Sequence, residues 1–135
     1  MKTNCIEIEV ACTVPELFEF TTTPVNTSKW IPSVEREWVE EDIIQVGTIY
    51  HQIVISHPFD RGVRYKVVEM ERNHLFALQR VGSDYVCRYT YVSSVDGKGA
   101  RLVYTEWMLS GDDLEDPMDA QPFQTLKWIL EQKGL

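Results

Sequence analysis

Basic residues are scarce in this chain. Thirteen Lys and Arg stand against 21 Asp and Glu over 135 residues, a formal net charge of −8. Nucleic-acid affinity comes largely from phosphates neutralised by Lys and Arg, so the balance argues against a nucleic-acid partner. It equally argues against an anionic membrane held through a basic patch. Cysteine is rare and odd in number: Cys5, Cys12 and Cys87, with no Cys-x-x-Cys pair. No disulfide framework is expected, and a reducing, cytoplasmic setting fits. The three histidines, His51, His57 and His74, have spacings that match no compact ligand motif. No metal and no cofactor are therefore expected. No stretch of about 18 apolar residues occurs, which excludes a helical membrane span. The opening MKTNCIEIEV lacks the apolar core of a signal peptide.

What is present is the composition of one globular domain, 1–135, with 44% hydrophobic residues. A chain of this size can bury about two-thirds of its unfolded surface without staples. The acids are clustered, five in Glu35–Asp42 and five in Asp112–Asp119. The second cluster lacks the central Gly and terminal Glu of an EF-hand and reads as a solvated loop leading into a helix.

Ile6, Ile8 and Val10 alternate with Glu7 and Glu9, the pattern of a half-buried strand. Thr13-Val-Pro-Glu16 then carries a capping box with Pro in the first turn, and Thr21-Thr-Thr-Pro24 stops that helix. A second short helix is expected over 26–31. Strands are expected at about 34–44, 48–57, 62–71, 74–81, 84–95 and 100–110, separated by Gly-, Pro- and Asn-containing breaks. Phe123, Leu126, Ile129 and Leu130 recur at helical spacing in a final helix over about 122–134, led by Asp119 and nearby acids. Six strands joined by short turns are mostly antiparallel, and their apolar face needs a cover. The predicted fold is α+β: a curved antiparallel sheet of about seven strands around a C-terminal helix, with two short helices after the first strand.

Register follows from the turns. Pairing Val95 with Ala100 sets Tyr91 against Tyr104, Tyr89 against Glu106 and Cys87 against Met108, with Arg88 over Trp107 on the other face. Pairing Ile55 with Val63 sets His51 against Val67. The inward set is then His51, Ile53, Tyr65, Phe76, Leu78, Tyr89, Tyr91, Tyr104 and Glu106. Buried hydroxyls and charges need partners, and a cavity holding a polar-headed ligand would supply them. Bonding among these residues themselves would also do so. His51 and Glu106 are the candidate acid–base pair. Trp30 is a candidate for the cavity mouth and Phe123 for its helical wall.

These segments together resemble the START-like, or SRPBCC, helix-grip superfamily, and within it the polyketide cyclase/dehydrase-like branch. The resemblance rests on Ala11-Cys-Thr-Val-Pro-Glu-Leu-Phe-Glu-Phe20, Asn26-Thr-Ser-Lys-Trp-Ile-Pro-Ser-Val34, Val46-Gly-Thr-Ile-Tyr50, Tyr65-Lys-Val-Val-Glu-Met-Glu71, Tyr89-Thr-Tyr91, Gly97-Lys-Gly-Ala-Arg-Leu102 and Leu126-Lys-Trp-Ile-Leu130. It implies a deep cavity between sheet and helix. It also implies a partner that is a small hydrophobic or amphipathic molecule: a lipid, polyketide or aromatic metabolite. Some members of the superfamily catalyse cyclisation or dehydration, and others bind proteins. Here the final helix is short, about 13 residues or ~20 Å, against longer helices in many relatives. One end of the cavity is then open, or a second copy in a homodimer covers the exposed sheet.

Overall fold

The computed structural model describes residues 1–55 and 62–132. The expected ends of two elements, with His57, Lys133 and Gly134, lie outside them.

The order of elements is β1 (Thr3–Val10), α1 (Val14–Thr22), a 3-10 turn (Pro24–Asn26), α2 (Thr27–Trp30), β2 (Val34–Trp38), β3 (Ile49–Val54), β4 (Gly62–Glu71), β5 (Leu75–Arg80), β6 (Tyr85–Ser93), β7 (Ala100–Met108) and α3 (Gln121–Glu131). The strands form one antiparallel sheet in the order β1-β7-β6-β5-β4-β3-β2. Phe123, Leu126 and Leu130 of α3 join the sheet's inner side chains in a single core. The α+β helix-grip architecture expected from the pattern is the one observed.

The local reasons are mostly those the sequence announces. Thr13 caps α1: its Oγ1 accepts from Glu16 N at 3.2 Å while Glu16 Oε1 accepts from Thr13 N at 3.0 Å. The hydroxyls of Thr21, Thr22 and Thr23 donate back to carbonyls of the preceding turn, and α1 ends there. Gly99 precedes β7, beside the end of β1. A Cβ there would lie 2.8 Å from the Val10 carbonyl oxygen, so only glycine fits. Asn73, in the left-handed region at φ 65°, makes the β4–β5 turn. By contrast, Asp119 does not cap α3. Ala120 occupies that position without a side-chain bond, and the first turn holds no acid.

Two registers differ from expectation. On β6–β7, Ser93 rather than Val95 pairs with Ala100, because the turn runs from Ser94 to Gly99 with Gly97 N donating to Ser94 O. A slip of two keeps every face and changes every partner: Tyr89 now faces Tyr104 and Cys87 faces Glu106. Arg88 still reaches the Trp107 ring, diagonally, at 5.4 Å. On β3–β4 the slip is odd: Tyr50 pairs with Tyr65 and His51 with Arg64. An odd slip turns a strand over. Tyr50 and Gln52 are buried inward, while His51 and Ile53 point to the convex side and Ile55 is exposed. Strand β2 is also shorter than expected, ending at Trp38.

Candidate functional site

The concave face carries five large rings in edge or tilted contact. Tyr89 packs on Trp30, Phe76 and Tyr104, and Tyr104 on Phe123 at 5.0 Å. Beside this cluster lies a cavity of about 130 Å³, lined from every strand between β2 and β7. Its apolar wall is Ile31, Val34, Val54, Leu78 and Met118. Its polar wall is Gln52, Tyr65, Tyr85, Tyr89 and Tyr104, with Ser33 and Cys87 completing the lining. No residue of α3 contributes; Met118, in the loop before the helix, is the nearest in sequence. The 11-residue helix leaves this end of the concave face to the loop.

Glu106 is fully buried behind the polar wall. It accepts from Tyr85 Oη at 2.5 Å, Tyr104 Oη at 3.3 Å, Asn4 Nδ2 at 2.7 Å and Met118 N at 2.7 Å. Four donors satisfy one carboxyl group without a cation. The Met118 bond gives the acidic Asp112–Asp119 loop a task that composition did not suggest, since it closes over Glu106.

A second carboxyl group stands at the other side. Glu37 of β2 accepts from Thr27 Oγ1 and from Gln52 Nε2, each at 2.5 Å. Burial pushes its proton affinity up, partly offset by those two bonds. The cavity tyrosines shift likewise. Burial, with the nearby Cys87, holds the Tyr85, Tyr89 and Tyr104 hydroxyls above their ordinary range and raises Tyr65 to about 12. Burial also raises the Cys87 thiol to about 12, making it a poor nucleophile. These four hydroxyls and the Cys87 thiol are protonated at neutral pH. Neither the Tyr65 nor the Tyr89 hydroxyl has a hydrogen-bond partner among the described residues, although both residues line the cavity.

Of the candidate site residues, Tyr65, Leu78, Tyr89 and Tyr104 line the cavity. Phe76, Tyr91, Phe123 and Trp30 are buried in the core but do not line the cavity. Trp30 packs on Phe123 at 5.2 Å instead of closing a mouth. Ile53 lies on the convex side. His51 is separated from Glu106: its ring stacks on Trp38 at 5.3 Å, with Glu40 3.9 Å away and Arg36 over the far ring. The odd slip of β3 dissolves the acid–base pair. Sequence reasoning missed Gln52, Tyr85 and Glu37. The alternation of isoleucines in β3 concealed Gln52, while Tyr85 sat at a strand end and Glu37 inside a charge cluster. Among the described residues no group of His, Cys, Asp and Glu could hold a metal, and no helix is long and apolar enough to cross a membrane.

No family profile matches the chain, and no curated protein matches it in sequence. Solved structures do match. XoxI from Bacillus cereus superposes with a TM-score of 0.75 at 7% identity, over 98% of this chain and 97% of that one. Aha1 from Colwellia psychrerythraea, a dimer in solution, superposes at 0.69 and 15% identity over the full length of both. A Polyketide_cyc-like protein from Corynebacterium glutamicum superposes at 0.57 and 19% identity, over 78% of this chain and 64% of its own. The chain has the START-like helix-grip fold. Its element order, two short helices after β1 and closing α3 are those of that fold. The cavity is lined by residues of β2 to β7 and by none of α3, whereas the resemblance implies one between sheet and helix.

Proposed function

We propose that this protein binds a small, mostly apolar molecule with a polar end in the cavity on the concave face of the sheet. The observation that carries this reading is the wall itself. Apolar side chains surround a space next to two tyrosine hydroxyls, of Tyr65 and Tyr89, that no described residue bonds. A few convergent polar groups in an apolar pocket are how small ligands are oriented. The volume limits the ligand: an engineered cavity of about 150 Å³ accepts benzene. A cavity of about 130 Å³ suits one ring rather than a lipid chain. A thermal-shift screen of single-ring metabolites tests it. A ligand that raises Tm in the native chain, and no longer does so in Leu78→Trp, is expected. Equal stabilisation of both proteins would refute the site.

Dimerisation is the second reading. Trp128 of α3 is 65% exposed, and the like-folded Aha1 of Colwellia psychrerythraea is a solution dimer. Sedimentation equilibrium at micromolar concentration decides it, and a monomer mass removes it.

A further inference from the structure

The Tyr85 and Tyr104 protons of the polar wall are already spent inside the protein. Tyr85 Oη donates to Glu106 at 2.5 Å. Tyr104 Oη lies 3.0 Å from Tyr85 Oη and 3.3 Å from Glu106 Oε1, so its own proton is also held within the cluster. What these phenols retain is lone pairs. Gln52 is alike in part: its Nε2 gives one proton to Glu37, leaving the second amide proton and the Oε1 lone pairs uncommitted among the described residues. Both poles of the cavity are therefore anchored by a carboxyl group and present acceptors. Among the described residues, no Lys, Arg or His is part of the lining. The hydroxyls of Tyr65, Tyr89 and Ser33, also in the lining, keep protons that no described residue accepts.

Resting on the binding reading above, we propose that the cavity selects single-ring ligands bearing hydroxyl or amino donors and excludes carboxylates. An O–H or N–H finds lone pairs at either pole. A carboxylate would bring its charge toward the Glu106 and Glu37 carboxyl groups that Tyr85, Tyr104 and Gln52 bond, with no cation among the described lining residues to offset its lost hydration. An unsubstituted ring gains the apolar wall but leaves the acceptors without a donor.

The test is a ¹⁵N–¹H NMR titration of the whole chain with four probes of similar size: phenol, benzylamine, toluene and benzoate. Phenol or benzylamine binding at least ten-fold tighter than toluene, with benzoate weaker than toluene, is expected. In Tyr85→Phe, with native chemical-shift dispersion checked first, the donor ligand's advantage over toluene should fall at least three-fold. Benzoate binding as tightly as phenol, or toluene matching both donors, overturns donor selection while leaving the cavity a binding site. Absence of perturbation at cavity residues by all four probes overturns the binding reading as well.

Discussion

The six tyrosines divide the interior into two ends that use the same side chain oppositely. At the end covered by α1, Tyr50 donates to the Thr22 carbonyl at 2.5 Å, and Tyr91 Oη lies 2.6 Å from Thr21 Oγ1. The Thr21 proton goes to the Leu17 carbonyl, so Tyr91 is the donor. Both rings are almost wholly buried, Tyr91 in edge contact with Phe18 at 5.0 Å. There the hydroxyls tie the sheet to the frayed last turn of α1 and leave no space. At the other end, Tyr65, Tyr85, Tyr89 and Tyr104 surround a cavity, and their hydroxyls bond a carboxyl group or nothing in the described protein. Burial raises the pKa of all six. The difference lies in which partners the fold brings within reach, and that separates a tyrosine that holds the structure from one that can meet a ligand.

The largest test of this division removes the anchor of the cavity end. Glu106→Leu keeps the volume and strands four donors. Each buried donor left unbonded costs roughly 1–3 kcal/mol, and those nearest the cavity can rebond to water. A net loss of about 3 kcal/mol is expected in urea unfolding. A loss below about 1 kcal/mol would mean that the Glu106 cluster does not organise its surroundings.

At the closed end, Tyr50→Phe and Tyr91→Phe each remove one hydrogen bond without changing packing. About 1 kcal/mol is expected from each, with ligand affinity unchanged. A change in ligand affinity as large as that caused by a cavity tyrosine would erase the distinction between the two ends.

How much of this division was legible beforehand depends on parity. The faces of β6 and β7 follow from strict alternation, so Tyr89, Tyr91, Tyr104 and Glu106 were correctly placed inward even though their cross-strand partners slipped by two. In β3 both alternating sets are plausible on hydrophobicity: Ile49, His51 and Ile53 against Tyr50, Gln52 and Val54. The outcome rests on long-range bonds, Tyr50 to Thr22 and Gln52 to Glu37, which composition does not display. The bulge between Val67 and Glu69 in β4 is of the same kind. It turns Met70 inward opposite Phe76 and leaves Glu69 outside to pair with Arg88. The fold was readable because it needs only faces and order. The site needed register.

Glu37 gives a pH-dependent test of the cavity's edge. Desolvation raises its pKa in the folded state above the ordinary 4.5. A group that binds its proton more tightly when folded contributes its full stability below the unfolded pKa. That contribution is lost as pH rises through the folded pKa. Glu37→Gln keeps an acceptor for Gln52 and removes the titration. Relative to the native protein, the variant should therefore gain stability as pH rises above 4.5, with the two curves parallel once the pH has passed the folded pKa. Curves that stay parallel throughout would place Glu37 in water.

The smallest effect is the most discriminating. Tyr89→Phe deletes a hydroxyl with no described partner and keeps the ring contacts with Trp30, Phe76 and Tyr104. No internal hydrogen bond is lost, so stability should change by less than about 0.5 kcal/mol, in contrast to roughly 1 kcal/mol for Tyr91→Phe two residues along the same strand. Tyr65→Phe should behave likewise. If either substitution instead costs as much as Tyr91→Phe, its hydroxyl has a structural bond, and the cavity wall is built for stability in the way the closed end is. If both are silent in unfolding yet weaken binding of a donor-bearing ring, those two hydroxyls are held in the fold for the ligand alone.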